Sequence, residues 1–461
     1  MKRYASYFLF LAFFCASFLF SAAQKNTAGY ISLFDGKTLN GWKKVAGTAD
    51  YKIQDGMIVG TTVVSSPNTF LISEKQYGDF VLELEVKIED TTSNSGIQFR
   101  SHYDANGHEG KGKVFGYQYE LDPSSRRWTA GIYDEGRRDW LYPLSFHSSA
   151  QNAFKLNDWN KVKIECIGNE TKTWINDVPA AYMVDTVDKS GVIALQVHSI
   201  GDNAKLAGEK IYWKNIRVKT GTITPSSFPK DVYVLNNIPN YLSSYEQQSG
   251  WQLLFDGKDS KGWRGAYKDS FPTGEWVIKD GTITVLSSEG KEGGNAGDIV
   301  SDKEYSAFDL SFQFKLTPGA NSGVKYFVTL NEHNSGSAIG LEYQVLDDSL
   351  HPDAKLGRDG DRTLASLYDL IPAKKEKRFI HQPGEWNWAR VVVYPNNHVE
   401  HYLNGVKVLE YERGSKEYKD LVAISKYKVW ENFGEAKQGH ILLQDHGNEV
   451  SFRSIKIREL K

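Results

Sequence analysis

The amino-acid sequence contains one internal duplication of domain length. The two copies share their landmarks in the same order: LFDGK at 33–37 and 254–258, NSGIQF at 94–99 and NSGVKY at 321–326, GVIALQVHS at 191–199 and GHILLQDHG at 439–447. Solenoid repeats are only about 20 to 50 residues long, whereas these copies are separated by the length of a whole domain. The sequence therefore predicts two tandem domains of similar fold.

The composition between the copies indicates where the domains end. We place the first domain at 28–220 and the second at 249–461. The intervening residues 221–248 are rich in proline, serine and asparagine and lack sustained alternation of apolar and polar residues. Such a stretch is typical of a linker, and each flanking domain is large enough to bury a core of its own.

The N-terminus has the pattern of a secretory signal peptide. Lys2 and Arg3 precede an apolar stretch over 7–20, and the small residues at 21–23 follow it. We predict a signal peptide over 1–23 and hence an exported protein, periplasmic or secreted. The apolar stretch is shorter than the roughly 20 residues that span a bilayer, so no membrane insertion is expected after the signal is removed.

Charge and composition exclude one class of partner and favour another. The formal net charge is −2, and the lysines and arginines are scattered along the chain. Without a basic stripe to bind a phosphate backbone, nucleic acid is not expected as a partner. Aromatic residues make up 13% of the chain, which is typical of sheets and of surfaces that stack on sugars. No pattern indicates the oligomeric state.

Short segments with two-residue alternation dominate both copies and predict an all-β fold. Clear examples are Phe80–Ile88, Lys161–Glu165 and Ser311–Leu316, and dipeptides such as Asn404-Gly405 supply turns between strands. We find no long stretch with helical periodicity. Many short strands bury their apolar sides by packing two sheets face to face, so each domain is predicted to be an antiparallel β-sandwich.

Strand alternation also predicts which polar side chains share the outer face of a sheet. In the first copy these residues are Gln98, Arg100, Gln118, Glu120, Gln196 and His198. In the second copy they are Lys325, Glu342, Gln344, Gln444 and His446. Any one of them is compatible with a face that water simply wets. The repeated combination of a cation, a carboxylate, a histidine and several amides favours a concave hydrogen-bonding surface that binds sugars.

Three further groups have both a functional and a structural interpretation. Tyr133-Asp134 and Tyr368-Asp369 match between the copies. Each pair is either part of a binding site or the end of a strand that leads into a turn. His398 and His401 resemble part of a metal site but fall on opposite faces of a strand. The sequence therefore leaves open whether a divalent ion binds. Sugar platforms are possible at Trp128, Trp140 and Trp430.

Several motifs together resemble those of the 3-keto-disaccharide hydrolase family, also described as 3-keto-glucoside 1,2-lyases and 3-keto-2-hydroxy-glucal hydratases. They are GLEYQVLDD at 340–348, ASLYDLI at 365–371, GEWN at 384–387, EHYLNG at 400–405 and GHILLQDHG at 439–447. The resemblance covers both halves of the chain, and the first copy departs from it at 196–199. It implies two tandem concanavalin A-like, jelly-roll sandwiches, acting on an oligosaccharide or glycoside oxidised at C3.

The resemblance also implies a chemistry in which a base removes the proton at C2 and an enolate expels the group at C1. His446 and Glu342 are the expected proton carriers, and Lys325 or a metal ion stabilises the enolate. In the first copy these roles pass to His198, Glu120 and Arg100. Substrate-binding residues are then Gln344, Gln444, Tyr368, Asp369, Gln118, Gln196, Tyr133 and Asp134.

Two other functions are compatible with the same sequence. The fold serves sugar-binding proteins without catalysis as readily as enzymes. A glycoside hydrolase with paired carboxylates would need a second acid about 5 to 10 Å from Glu342. The sequence suggests only Asp347, Asp348 and Asp369 as nearby acids.

Overall fold

The computed structural model describes residues 29–230, 232–289, 291, 297–330 and 338–461. The predicted signal peptide over 1–23 lies outside these residues. None of the helices that the structure describes is both long and apolar enough to cross a membrane. The described residues form two β-sandwiches in tandem, which confirms the predicted all-β, concanavalin A-like fold.

The first sandwich contains strands that pair almost entirely antiparallel. They are β1 (Tyr30–Ser32), β2 (Trp42–Val45), β3 (Asp50–Gln54), β4 (Met57–Thr61), β5 (Thr69–Tyr77), β6 (Phe80–Ile88), β7 (Ser95–Asp104), β8 (Lys113–Leu121), β9 (Ile132–Glu135), β10 (Asp139–Tyr142), β11 (Asn160–Ile167), β12 (Glu170–Ile175), β13 (Val178–Val184), β14 (Gly191–Val197) and β15 (Lys210–Lys219). The connecting segment adds β16 (Val234–Asn236).

These strands form two facing sheets. The larger has the order β16-β13-β12-β11-β6-β15-β4-β3, with β1 paired to β15, and the smaller has the order β10-β9-β8-β7-β14-β5-β2. The alternation along β6 buries Phe80, Leu82, Leu84 and Val86 between them. Burial of each such side chain contributes about 1.5 to 3 kcal/mol, so the core explains why β6 lies centrally.

The second sandwich repeats this plan. Its strands are β17 (Gln252–Leu253), β18 (Trp263–Gly265), β19 (Trp276–Lys279), β20 (Thr282–Val285), β21 (Ile299–Tyr305), β22 (Phe308–Leu316), β23 (Asn321–Thr329), β24 (Ile339–Leu346), β25 (Asn387–Val393), β26 (His398–Leu403), β27 (Val406–Glu412), β28 (Gly439–Leu443) and β29 (Val450–Glu459). The larger sheet has the order β19-β20-β29-β22-β25-β26-β27, with β17 on β29, and the smaller has the order β18-β21-β28-β23-β24.

Helical structure is confined to short segments between strands. The helices are α1 (Gly107–Gly110), α2 (Ser244–Gln248) and α3 (Lys416–Ile424), and 3₁₀ turns occupy Leu144–Asn152, Ala204–Leu206, Pro352–Lys355, Lys377–Phe379 and Lys426–Val429. The interior of α1 has left-handed backbone at His108 and Glu109, so it is a turn more than a helix.

The repeated LFDGK and GW landmarks have a structural role. The indole N–H of Trp42 donates to the carbonyl of Leu33 at 2.7 Å, and that of Trp263 donates to Leu254 at 2.6 Å. All four residues lie at the start of their domain. The motif therefore fastens the N-terminal segment of each copy to its sandwich, away from the polar faces described below.

The connecting segment packs against both domains. Its strand β16 pairs in parallel with β13 of the first domain. Helix α2 begins with a capping box formed by Ser243 and Glu246. The carboxylate of Glu246 also forms an ion pair, at 2.6 Å, with the ammonium of Lys456 in the second domain, and both side chains are buried. Rings of the two domains also touch, since Trp128 and Phe379 have centroids 5.6 Å apart.

Candidate functional site

The outer side of the sheet β18-β21-β28-β23-β24 is called here the polar face of the second domain. Lys325 on β23 pairs with Glu342 on β24, and Gly323 pairs with Gln344. On the other flank of β23, the backbone N–H of Gln444 donates to the carbonyl of Gly323 at 3.0 Å. The structure thus brings Lys325, Glu342, Gln344 and Gln444 together on one surface, because alternation is uninterrupted from Gly323 to Lys325.

Gly323 lies at the centre of this face and leaves room for the carboxylate of Glu342. A methyl group added to Gly323 would lie 2.3 Å from Oε1 of Glu342, which is closer than any real Cβ contact. With the Gln344 amide oriented to satisfy its neighbours, its nitrogen lies 3.2 Å from the same oxygen. The carboxylate is therefore folded over a glycine floor, with an amide beside it.

A buried pair of opposite charges lies next to this floor. Nζ of Lys325 is 3.7 Å from Oδ2 of Asp298 and 3.3 Å from the carbonyl of Ala338. Burial raises the pKa of Asp298, and the charges of Glu342 and Asp445 act in the same direction, whereas Lys325 opposes them. Oδ2 of Asp298 accepts no hydrogen bond from any residue that the structure describes.

Sequence reasoning missed Asp298, although a signal for it exists. It immediately precedes β21, two residues before Val300, so alternation places both on the outer face. The comparison between copies conceals it, because the matching position in the first domain is Phe70. The registers establish this match: Leu195 pairs with Leu71, as Leu443 pairs with Ile299.

An aromatic and charged wall borders the polar face. The hydroxyl of Tyr368 donates to Asp353 at 2.8 Å, and Arg362 donates to Asp369 at 2.7 Å. The ammonium of Lys426, a residue that sequence reasoning did not identify, lies 4.1 Å from the centre of the Tyr368 ring. Burial lowers the pKa of Lys426, and the nearby charge of Glu342 opposes this. The wall therefore adds a second ammonium near Glu342.

The predicted histidine lies at the end of the face. His446 follows β28, and its ring centroid is 5.9 Å from that of His351, in the loop after β24. Burial lowers the pKa of His351, and the neighbouring His446 lowers it further. The two imidazoles meet because β24 and β28 lie on either side of β23, and both strands end where β23 begins, at Asn321.

The first domain has a polar face on the sheet β10-β9-β8-β7-β14-β5-β2, with different chemistry. Gln98 pairs with Gln118 there, and Gly96 with Glu120. Asn94 and Gln118 donate to the two oxygens of Glu120 at 2.8 and 2.7 Å. Burial raises the pKa of Glu120 to about 7. Amides thus replace most of the charges of the second domain.

The register gives the correspondence between the copies. Gln98 takes the position of Lys325, and Gln118 takes that of Glu342. Together with Phe70 in place of Asp298, these differences leave the first polar face without the buried ammonium and its facing carboxylate.

The prediction that Arg100 lies on the outer face is wrong. Arg100 adopts a left-handed backbone, with φ of 48°, inside a bulge of β7 that ends the regular pairing at Gln98. Its guanidinium instead donates to the carbonyls of Gly78 and Gly168 at 2.9 and 2.8 Å and to Asp79. The bulge reverses the alternation, so Arg100 fastens the turn between β5 and β6 and the turn between β11 and β12.

The other predicted residues of the first copy are dispersed. Gln196 lies on the polar face, within 3.5 Å of Glu135. His198 lies just beyond β14, with Nδ1 2.7 Å from the carbonyl of Ser199, and burial lowers its pKa. Tyr133 donates to Asp139 at 2.8 Å. Asp134 points away from this face and accepts from Arg137 and Arg138.

Within the described residues, one group has metal-ligand geometry, and it lies on the other sheet. His398, Glu400 and Glu410 bring their ligand atoms within 4.8 Å of one another. The ammonium of Lys407 already lies 3.0 Å from Glu400 and 2.7 Å from Glu410. His401 is buried on the opposite side, 2.8 Å from the hydroxyl of Tyr326. The two carboxylates of this group are thus paired with a lysine.

Comparisons with known proteins agree with the duplication. The family model of the 3-keto-alpha-glucoside-1,2-lyase-like domain matches residues 29–219 and 250–458. A 3-keto-disaccharide hydrolase of Bacteroides thetaiotaomicron is 39% identical over 234 residues, covering 46% of this chain and 79% of the relative.

Solved structures are also similar to parts of the chain. A proposed glycosyl hydrolase from Parabacteroides distasonis is 30% identical, with a TM-score of 0.43, and the match covers 48% of this chain and 100% of that one. The carbohydrate-binding module CBM66 from Bacillus subtilis is 20% identical, with a TM-score of 0.29, over 39% of this chain and 96% of the module.

Proposed function

Because the chain belongs to the 3-keto-alpha-glucoside-1,2-lyase-like domain family in both of its halves, we propose that it is an enzyme that cleaves glycosides bearing a ketone at C3. The observation that carries this proposal is the cluster on the polar face of the second domain. There a carboxylate lies over a glycine floor, beside a buried ammonium and a second carboxylate of raised pKa.

The proposed reaction is an elimination followed by hydration. The C3 ketone acidifies the proton at C2, which a base removes to give an enolate. The enolate collapses with loss of the glycosidic oxygen from C1, and an acid protonates that oxygen as it leaves. Water then adds across the new C1–C2 double bond, so the net result is hydrolysis. A base, an electrostatic partner for the enolate oxygen and an acid are required.

Glu342 and Lys325 supply the first two of these functions in the proposal. The Glu342 carboxylate is positioned over Gly323, because the glycine leaves room for it. The ammonium groups of Lys325 and Lys426 provide positive charge near the same carboxylate. In this arrangement Glu342 takes the proton at C2, and an ammonium stabilises the negative charge that develops on the oxygen at C3.

Asp298 and His446 are the proposed acids. Asp298 holds its proton to higher pH than an ordinary aspartate because it is buried. None of the described residues donates a hydrogen bond to its Oδ2. His446 lies at the end of the face, beside His351. Gln344 and Gln444 orient sugar hydroxyls in this proposal, and Oε1 of Gln444 is buried with no partner among the described residues.

The division of labour between the domains follows from their differences. The first polar face has Gln98, Gln118 and Phe70 in place of Lys325, Glu342 and Asp298. It therefore retains hydrogen-bonding groups but lacks the ammonium that the enolate requires. We assign the elimination to the second domain.

The test is incubation of the full chain with a 3-keto-disaccharide, followed by NMR of the products in D₂O. The expected result is release of the second sugar, with deuterium at C2 of the product. Lys325→Met should abolish both signals. Release of sugar without deuterium at C2, or binding without release, would contradict the elimination.

One observation favours a second candidate, a glycoside hydrolase with paired carboxylates. Asp298 and Glu342 lie on the same face. Burial raises the pKa of Asp298, and the charge of Glu342 adds to this effect, as in an acid and base pair. Hydrolysis of the unoxidised disaccharide, lost in Asp298→Asn, would support this reaction over the elimination.

A further inference from the structure

The two domains and the connecting segment enclose a second polar and aromatic site, here called the interdomain cleft. Its volume is about 230 Å³, below the roughly 300 Å³ at which pockets for drug-sized ligands begin. It is lined by Arg138 and Trp140 of the first domain, Asn237 of the connecting segment, and Trp386, Trp388 and Arg453 of the second domain. The cleft adjoins the larger sheet of the second domain, opposite to its polar face.

One buried carboxylate holds two polar side chains of the cleft in place. Oδ2 of Asp185 accepts from Nη1 of Arg138 at 2.9 Å and from the amide nitrogen of Asn237. Arg138 is fixed further by Asp134, whose Oδ2 accepts from Nε at 2.5 Å. This explains the role of Asp134: it orients a guanidinium at the cleft and does not face the sheet surface.

The remaining polar atoms of these two side chains are unsatisfied by protein groups. Nη2 of Arg138 and Oδ1 of Asn237 are buried, and neither makes a hydrogen bond with the residues that the structure describes. One is a donor and the other an acceptor, and buried polar atoms of this kind require a partner. A hydroxyl group satisfies both types, because it donates one hydrogen bond and accepts others.

The apolar part of the cleft is built from indole rings of both domains. Trp140 contacts Trp128 edge-on, with centroids 4.7 Å apart. Trp386 lies under the guanidinium of Arg453 at 4.0 Å, and that guanidinium donates to Gln313 at 2.6 Å. Flat rings next to fixed donors and acceptors match the apolar faces and hydroxyl edges of a pyranose.

We propose that the interdomain cleft binds one pyranose unit of a glycan. One sugar hydroxyl accepts from Nη2 of Arg138, another donates to Oδ1 of Asn237, and the ring lies against the tryptophans. The volume suits a single unit, and no ketone is needed for these contacts. The site is independent of the proposed elimination, so it binds ordinary sugars as well as oxidised ones.

The experiment is a titration of the full chain with glucose, maltose and cellobiose, followed by tryptophan fluorescence and saturation-transfer NMR. Wild type should bind at least one of these sugars, and Asn237→Ala and Trp140→Phe should each weaken that binding by about tenfold or more. The matched control is Trp159→Phe, since Trp159 stacks under Lys214 at 3.8 Å, outside the cleft. Thermal unfolding measured by circular dichroism verifies that each variant is folded.

Lys325→Met separates this site from the polar face. It should leave the sugar binding intact while it abolishes release from the 3-keto-disaccharide. The proposal is overturned if none of the three sugars binds wild type, if folded cleft variants bind as wild type does, or if Lys325→Met removes the binding instead. Loss of the elimination alone would contradict only the proposed function.

Discussion

The ammonium of Lys325 lies 3.7 Å from the carboxylate of Asp298, and each side chain is more than nine-tenths buried. A pair so far from water is a weak source of stability, because desolvation of the two charges offsets their attraction. Its presence on a sheet face, next to Glu342 and Gly323, is better explained by chemistry. The first domain has an amide and a phenyl ring at these two positions.

Lys325→Met is expected to lower kcat/KM for a 3-keto-disaccharide by about 10² to 10³, as for loss of one electrostatic contact to a developing oxyanion. The free energy of unfolding should also fall, by about 3 kcal/mol, because the buried carboxylate of Asp298 loses its counter-charge, so circular dichroism must verify that the variant is folded. Lys303→Met is the control, since Lys303 is exposed on β21 and pairs with Glu459 at the surface. A Lys325→Met enzyme with nearly full activity would remove the ammonium from the mechanism.

Gly323→Ala should abolish activity while the protein stays folded. The added methyl group would lie 2.3 Å from Oε1 of Glu342 and must displace that carboxylate. The matched control is Gly96→Ala in the first domain, where the methyl group would lie 2.3 Å from Cδ of Gln118. If the second domain performs the elimination, steady-state kinetics should show loss of activity only in Gly323→Ala. Equal loss in both variants would assign catalysis to both domains.

The contribution of Glu120 to the stability of the protein should fall as the pH rises from about 4.5 to about 7. Burial raises the pKa of Glu120 from 4.5 to about 7, so in this range the folded state binds more protons than the unfolded state. This contribution to the free energy of unfolding therefore decreases with pH, by about 3 kcal/mol across the window. The buried His401 acts in the opposite direction, because burial lowers its pKa to about 4. Urea unfolding at several pH values measures the slope.

Glu120→Gln should remove this contribution, because the amide does not titrate, so the free energy of unfolding of the variant should rise with pH relative to that of wild type. Glu74→Gln is its control, since Glu74 is exposed at the surface and should leave the slope unchanged. A slope of the same size in both variants would show that other groups are responsible.

The ion pair between Glu246 and Lys456 provides a test of the contact between connecting segment and second domain. Glu246→Gln leaves a buried ammonium without its counter-charge and should lower the free energy of unfolding by about 3 kcal/mol. The double variant Glu246→Gln, Lys456→Met should recover much of that loss. Non-additivity in a double-mutant cycle is the measurement, and additive losses would show that the two side chains are not coupled.

Sequence periodicity predicted the sandwiches and four residues of the second polar face. It succeeded at Glu342 and Gln344 because a regular strand has a fixed period of two. It failed at Arg100 because a bulge changes the period there, and no residue pattern marks the bulge. Lys426 could not be predicted, because a loop far along the chain brings it to Tyr368. Asp298 could not be found by comparing the two copies, because the matching residue of the first copy is the apolar Phe70.

The connecting segment has a consequence for how this duplication is inherited. Val234–Asn236 extends a sheet of the first half, and ten residues later Glu246 neutralises an ammonium of the second half. Recombination that deleted or exchanged either half would strand a buried charge and uncover a sheet edge. The contacts of the connecting segment are thus reason enough to retain both copies, whatever chemistry each of them performs.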